Sequence, residues 1–211
     1  MNKRTLITLI LFLFYFSSFT QSFMPMKDIA AFKARLQDAS KKTLTVESEF
    51  VQEKNLSLLS NKIISKGYFC FKKENKVRWE YIQPYKYLII INNDKIFIKD
   101  QHQKKQYDSQ SNKIFKEINN FMLGCIQGSI LNKEKEYKID FFENDKLYYV
   151  KLIPKSEKMK QIMSEIQIYF DKKDLSVSKL KMVEDGGDFT NIEFSNKKLN
   201  INVSEEKFIF N

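Results

Sequence analysis

Residues 76–99 read KVRWEYIQPYKYLIIINNDKIFIK, and their pattern is enough to indicate the fold class. In the first part Val77, Trp79 and Tyr81 alternate with polar residues. A continuous apolar run follows Pro84, and the polar letters NNDK separate that run from a second one. Alternation with a period of two indicates a strand with one face against a core, and a short polar break between apolar runs is typical of a β-hairpin. The stretch therefore predicts three consecutive antiparallel strands with aromatic side chains on one face.

The same pattern extends through most of the chain and predicts about ten strands joined by short turns. The predicted strands cover residues 43–50, 67–71, 77–81, 87–91, 96–98, 137–142, 147–153, 166–170, 177–183, 189–194 and 199–203, and KFIF closes the chain. Two segments have helical spacing instead, namely residues 26–42, where Asp28 can cap and Ile29, Phe32 and Leu36 recur, and residues 111–131. A sheet of this many strands must curl, split or close, so we expect two amphipathic helices to cover the concave side of one large sheet.

The N-terminus differs from the rest of the chain. A basic start, MNKR, is followed by the apolar residues 5–16, a run too short to span a bilayer, which takes roughly 20 residues. This predicts a signal peptide over residues 1–22, with an uncleaved membrane anchor as the alternative. Residues 23–211 then form a single soluble domain in the periplasm. Loss of residues 1–22 lowers the net charge from +10 to +8, and the lysines are spread evenly among acids, so no nucleic-acid partner is expected.

The sequence offers no recognisable catalytic motif. Its single histidine, His102, lies in a polar loop, and HExxH, GxSxG and glycine-rich phosphate loops are absent. A hydrolase that uses a pair of carboxylates stays open as an alternative, although the acid pairs occur in turns. We therefore predict a protein that is not an enzyme and that needs no cofactor and no metal. Cys70 and Cys125 are predicted to be free, buried thiols; a disulfide between them is the alternative that export would permit.

Several short motifs, taken in their order, resemble one known family. They are FVQ at 50–52, GYFCFKK at 67–73, VRWEYIQP at 77–84, NNDKIF at 92–97 and LIPK at 152–155. With the signal peptide, this series is similar to that of the periplasmic outer-membrane lipoprotein carrier family, LolA, over residues 27–210. The resemblance implies an unclosed, curved antiparallel β-barrel covered by two or three helices that act as a lid. It implies a carrier that moves lipoproteins from the inner to the outer membrane.

The resemblance also implies a site. The hydrophobic cavity that receives acyl chains would be lined by Phe50, Phe69, Phe71, Val77, Trp79, Tyr81, Ile89, Phe97, Ile118, Phe121 and Met122. Where the family has an Arg that holds the lid shut, this chain has Lys73, whose ammonium cannot reproduce the fork of a guanidinium. The implied partners are acylated lipoproteins, an inner-membrane lipoprotein-releasing transporter and a possible outer-membrane acceptor, for a protein that acts as a monomer. The alternative function is an envelope lipid-sensing or interaction module on the same fold, without transport.

Overall fold

The structure, a computed structural model, describes residues 22–93, 95–108 and 123–210. Helix α1 spans Ile29–Lys42 and the short helix α2 spans Glu157–Lys160. The strands are β1 (Met24–Pro25), β2 (Thr45–Asn55), β3 (Ile63–Lys72), β4 (Lys76–Gln83), β5 (Tyr87–Asn92), β6 (Lys95–Lys99), β7 (Lys104–Asp108), β8 (Tyr137–Glu143), β9 (Leu147–Pro154), β10 (Glu165–Asp171), β11 (Val177–Val183) and β12 (Phe189–Leu199).

The strands within the described ranges form one twelve-stranded antiparallel sheet in the order β1-β8-β9-β10-β11-β12-β2-β3-β4-β5-β6-β7. The sheet is curved and unclosed, with β1 and β7 at its edges, so the predicted fold class is confirmed. Two meanders, β2–β7 and β8–β12, meet where the long strands β12 and β2 pair. This pairing brings the two halves of the chain into one curved surface.

The strand count exceeds the predicted one because β1 and β7 carry no apolar periodicity; β7 reads KKQYD. Two predictions near the C-terminus are wrong. Residues 200–203 are not a strand, because β12 already ends at Leu199, and KFIF is not a strand either. Instead, Glu205–Phe208 form a 3₁₀ turn that places Phe208 against the convex face, where it is buried with Cys70 and Ile90.

The aromatic rings on the concave face pack closely where β3 carries a glycine. Gly67 on β3 lies opposite Phe50 on β2 and Tyr81 on β4. A Cβ atom at Gly67 would lie 2.6 Å from Phe50 Cζ and 2.0 Å from the Glu80 carbonyl oxygen. The absence of a side chain therefore lets the Phe50 ring lie across β3 and contact Trp79 and Tyr81, with ring centroids 4.9 and 5.1 Å apart.

Helix α1 forms where the sequence predicts it. Asp28 caps its N-terminus by accepting a hydrogen bond from the Ala31 amide at 2.9 Å, and two lysines in its last turn complement the helix dipole. Of the predicted second helix, residues 123–127 are helical, and most of the remainder lies outside the described residues. None of the helices formed by the described residues has both the length and the apolar composition that a membrane span requires.

Candidate functional site

A cavity of about 70 Å³ lies between α1 and the concave face of the sheet. Its floor comes from β2, β3, β4, β11 and β12, and its roof from the C-terminal half of α1 and residues 125–126. The lining residues are Leu36, Ala39, Ser40, Thr43, Val46, Ser48, Phe69, Trp79, Cys125, Ile126, Asp174, Leu175, Ser176, Val177, Leu180, Phe194, Lys197 and Leu199. Most of these side chains are apolar, so the cavity favours hydrocarbon over polar ligands.

The aromatic wall of the cavity is a contiguous cluster on β2, β3, β4 and β12. Trp79 contacts Phe69 and Phe194, with ring centroids 5.3 and 6.0 Å away in edge-on geometry. Phe50 and Tyr81 extend the cluster behind Trp79. Rings of this kind present a large area without directional bonds, so they can contact guests of variable shape.

The roof is fixed to the sheet more firmly at one end than at the other. In the first half of α1, Phe32 is 1% exposed and packs on Tyr148 and Phe170, with centroid distances of 4.5 and 5.8 Å. In the second half, Leu36 is the one fully buried anchor among the described contacts of the helix, and it approaches Gly128 so closely that a Cβ there would lie 2.6 Å from its Cδ2. The cavity lies beneath this second half.

One end of the cavity carries charge. A bulge in β12 sets Asn196 and Lys197 opposite the single residue Ser48, and Asn196 adopts a φ of 52°. Such a bulge can re-aim a side chain, and here the Lys197 side chain is only 13% exposed. Its Nζ donates to Ser176 Oγ at 2.6 Å and lies 3.7 Å from Asp174 Oδ1. The ammonium is therefore neutralised by the β10–β11 turn.

Some polar groups in and beside the aromatic cluster lack hydrogen-bond partners within the described part of the chain. Tyr81 donates its hydroxyl hydrogen to Gln52 Oε1 at 2.8 Å. Burial raises the pKa of Tyr81 to about 12, while the nearby Trp79 indole N–H opposes part of that rise. That N–H nevertheless does not reach hydrogen-bond geometry with the Tyr81 oxygen, and Ser48 Oγ likewise has no partner among the described residues.

The structure places the predicted site residues in four groups. Phe69 and Trp79 line the cavity. Phe50, Phe71, Val77, Tyr81 and Ile89 belong to the same concave core or pack against it. Phe97 does not join them, because it lies in the convex cluster and stacks on Phe210 at 5.0 Å. The predicted residues Ile118, Phe121 and Met122 lie outside the described part of the chain.

None of the predicted site residues lies in the part of the wall that β11, β12 and the β10–β11 turn provide. Leu175 is the clearest case, since it lines the cavity from a turn, DKKDLS, whose composition indicates only solvent exposure. Its φ of 59° is unusual for a bulky residue and is the one signal that marks it in the structure. Leu36, by contrast, is one of the apolar residues whose helical spacing predicts α1.

The proposed latch residue lies at the end of the roof. Lys73 Nζ donates to the backbone oxygen of Lys41 in the last turn of α1 at 3.1 Å, and the Lys73 amide donates to Leu44 O at 2.7 Å. A cation at this position also complements the C-terminal end of the helix dipole. Because the side chain is exposed, this single bond to α1 is a weak tie.

Both cysteines are free and buried, as predicted. Cys125 lines the cavity, and burial raises the pKa of its thiol strongly. Cys70 belongs to the convex cluster, where burial, and to a smaller extent the neighbouring Glu47, raise the pKa of its thiol to about 11. The two thiols therefore lie on opposite faces of the sheet, and both are poor nucleophiles at neutral pH.

Comparison with known proteins points to one family. A sequence model described as outer membrane lipoprotein carrier protein LolA matches residues 41–211. No curated protein sequence matches the chain. Among solved structures, a chain of the MucA/MucB complex of Pseudomonas aeruginosa aligns with a TM-score of 0.50 and 11% identity, over 86% of this chain and 60% of that one. The chain thus spans less than two thirds of that protein's length.

Two further solved structures align with most of the chain. An uncharacterised conserved protein from Thermus thermophilus aligns with a TM-score of 0.50 and 9% identity, over 83% of this chain and 91% of that one. Lipoprotein LppX of Mycobacterium tuberculosis aligns with a TM-score of 0.46 and 12% identity, over 84% of this chain and 99% of that one. At such identities, the likeness to the two structures that align with a TM-score of 0.50 shows the fold alone.

Proposed function

The chain belongs to the outer-membrane lipoprotein carrier protein (LolA) family, and on this premise we propose that it carries acylated lipoproteins through the periplasm from the inner to the outer membrane. The observation that carries the proposal is the apolar cavity between α1 and the aromatic concave face. A carrier must hide acyl chains from water and later release them. Walls without directional bonds to the chain allow both.

The magnitudes require the roof to move. Each methylene group removed from water stabilises by about 0.8 kcal/mol, so an ordinary acyl chain gains on the order of 10 kcal/mol before ordering costs. A cavity of about 70 Å³ holds only a few water-sized groups, far fewer than the methylene groups of such a chain. Loading therefore needs a larger cavity, and the second half of α1, held by Leu36 and the exposed Lys73 tie, is the part of the roof we expect to withdraw.

The proposal includes partners and a compartment. We propose that residues 1–22 are removed during export and that residues 23–211 act as one monomeric domain. The donor would be an inner-membrane lipoprotein-releasing transporter, and an outer-membrane acceptor would receive the cargo. N-terminal sequencing of protein from the envelope fraction tests the first step, and an intact Met1 on membrane-embedded protein would refute it.

The cavity itself is tested by titration with a fatty acid and with an environment-sensitive apolar dye. We expect binding near an equimolar ratio, a change in the fluorescence of Trp79, which is the chain's only tryptophan, and competition between the two ligands. Flat emission from folded protein at stoichiometric ligand would contradict carriage. Native mass spectrometry of protein purified from the periplasm separates the alternatives, because copurified lipoprotein indicates transport and a lipid-free protein complex indicates an interaction module.

A further inference from the structure

Two polar atoms at the cavity stand out because they are buried without a hydrogen bond to any described residue: Ser48 Oγ and Trp79 Nε1. Both residues line the cavity, and they are only 7% and 8% exposed. The large majority of buried side-chain polar atoms in native proteins have a partner, so an unpaired pair in one cavity requires an explanation. A ligand that supplies the missing partners is such an explanation.

The register of the sheet fixes how the two groups are arranged. Ser48 on β2 pairs with Phe69 on β3, which in turn pairs with Trp79 on β4. The three residues form one row across the concave face, and the outer two are two strand spacings apart, roughly 10 Å at the backbone. Phe69 lies between them and offers only apolar surface. The row therefore consists of two hydrogen-bonding groups separated by a ring.

The chemistry of the two groups limits the ligand. An indole N–H can only donate, and a serine hydroxyl can donate as well, so the atom that satisfies both is an oxygen acceptor. The charged groups at the cavity already satisfy one another, because Lys197 pairs with Ser176 and Asp174. A net charge on the ligand would remain unpaired in these apolar surroundings. The complementary group is thus a neutral oxygen acceptor, and the strongest such acceptor in an acyl lipid is its ester carbonyl.

We propose that Trp79 and Ser48 bind the ester carbonyls of a diacyl ligand, so that the site recognises acyl esters rather than hydrocarbon alone. The inference rests on the proposed function and names the chemical group that this cavity selects. Two donors on alternate strands can each engage one carbonyl of the same ligand, with its chains lying along the apolar wall around Phe69 and Phe194.

A purely structural explanation exists and makes a different prediction. The Tyr81 oxygen lies near Trp79, and a small rotation could bring the indole N–H onto it while its own hydrogen stays on Gln52. In that case Trp79 would need no ligand acceptor. The preference for an ester over an ether would then rest on Ser48 alone and would not change in Trp79→Phe, because the indole donor would already be occupied.

The test compares dioctanoylglycerol with the dioctyl glycerol ether, which has the same chains and no carbonyl. Each lipid displaces an apolar dye from the wild-type protein, from Trp79→Phe, from Ser48→Ala and from the double variant. We expect the wild type to prefer the ester by about three- to tenfold for each donor engaged. Each single variant should lose part of this preference. The double variant should lose it entirely or prefer the ether, since a buried carbonyl without a donor is unfavourable.

Matched controls remove a polar hydrogen away from the cavity. Tyr149→Phe removes a hydroxyl from the ring that stacks on Tyr169. Ser164→Ala removes a hydroxyl that donates a hydrogen bond to Val183 O. Both should retain the wild-type ester preference. Equal binding of ester and ether by the wild type, or a preference that survives in the double variant, overturns the inference and leaves carriage intact. If neither lipid displaces the dye, the inference and the proposed function fail together.

Discussion

Shortening Leu36 to alanine should make the protein less stable and a better binder of apolar ligands. Leu36 is 4% exposed, lies on the roof of the cavity and contacts Gly128. The substitution removes three carbon atoms, and at about 0.8 kcal/mol for each buried group the lost transfer free energy is about 2.4 kcal/mol. Residual cavity terms bring typical Leu→Ala costs to about 2–5 kcal/mol. Because one side of Leu36 already borders the cavity, we expect Leu36→Ala to lower the free energy of unfolding by about 2–3 kcal/mol.

The same vacancy enlarges the binding space. If up to three additional methylene groups of a fatty acid enter it, ligand affinity should rise by about tenfold after ordering costs. Urea denaturation gives the stability, and fatty-acid titration followed by Trp79 emission gives the affinity. The two quantities should therefore change in opposite directions.

The matched control is Leu152→Ala. Leu152 is fully buried in the same core on β9 but does not line the cavity. We expect this variant to lose at least as much stability as Leu36→Ala without any gain in affinity. If Leu36→Ala also binds no more tightly than the wild type, or binds more weakly, the space beneath α1 is not where the chain enters and the reasoning is wrong.

The remaining predictions concern the sheet, the latch and pH. Gly67→Ala should destabilise the fold by about 3 kcal/mol or more, because the new Cβ meets a backbone oxygen at 2.0 Å; an unchanged denaturation midpoint would contradict the packing of Phe50. Lys73→Arg should close the empty roof and weaken dye affinity by up to about tenfold, whereas Lys73→Leu should change it little; the reverse pattern would indicate direct contact with cargo. The hydrogen bond from Lys172 lowers the pKa of Glu143 in the folded protein. The ionised Glu143 carboxylate therefore stabilises the fold above the unfolded pKa of about 4.3, and this stabilisation is lost as the pH falls through the lower folded pKa. Denaturation series across this range should show a smaller acid loss of unfolding free energy in Glu143→Gln than in wild type.

The period-two pattern allowed most strands and their buried faces to be predicted. Alternation along a strand fixes which side chains share a face, and Trp79 and Phe69, both on the predicted inner face, line the cavity; their contact with lipid stays a prediction. The pattern failed where a distant segment of the chain buries the other face of the sheet. Phe97 satisfies the alternation as well as Trp79 does, yet it packs on the convex side, because the C-terminal segment covers that side with Phe208 and Phe210. Local periodicity cannot tell which of two covered faces is the cavity.

Local features followed from the order of residues alone: the strands, the cap at Asp28, the turns and the residues that alternate. Which distant segments meet became known only with the folded chain. The pairing of β12 with β2 brings Lys197 opposite Ser48, and α1 brings Leu36 to the same cavity. The same arrangement leaves Ser48 and Trp79 buried without partners among the described residues. These features depend on contacts between residues far apart in the chain, and such contacts are set by sheet register and packing, which no short window of sequence encodes.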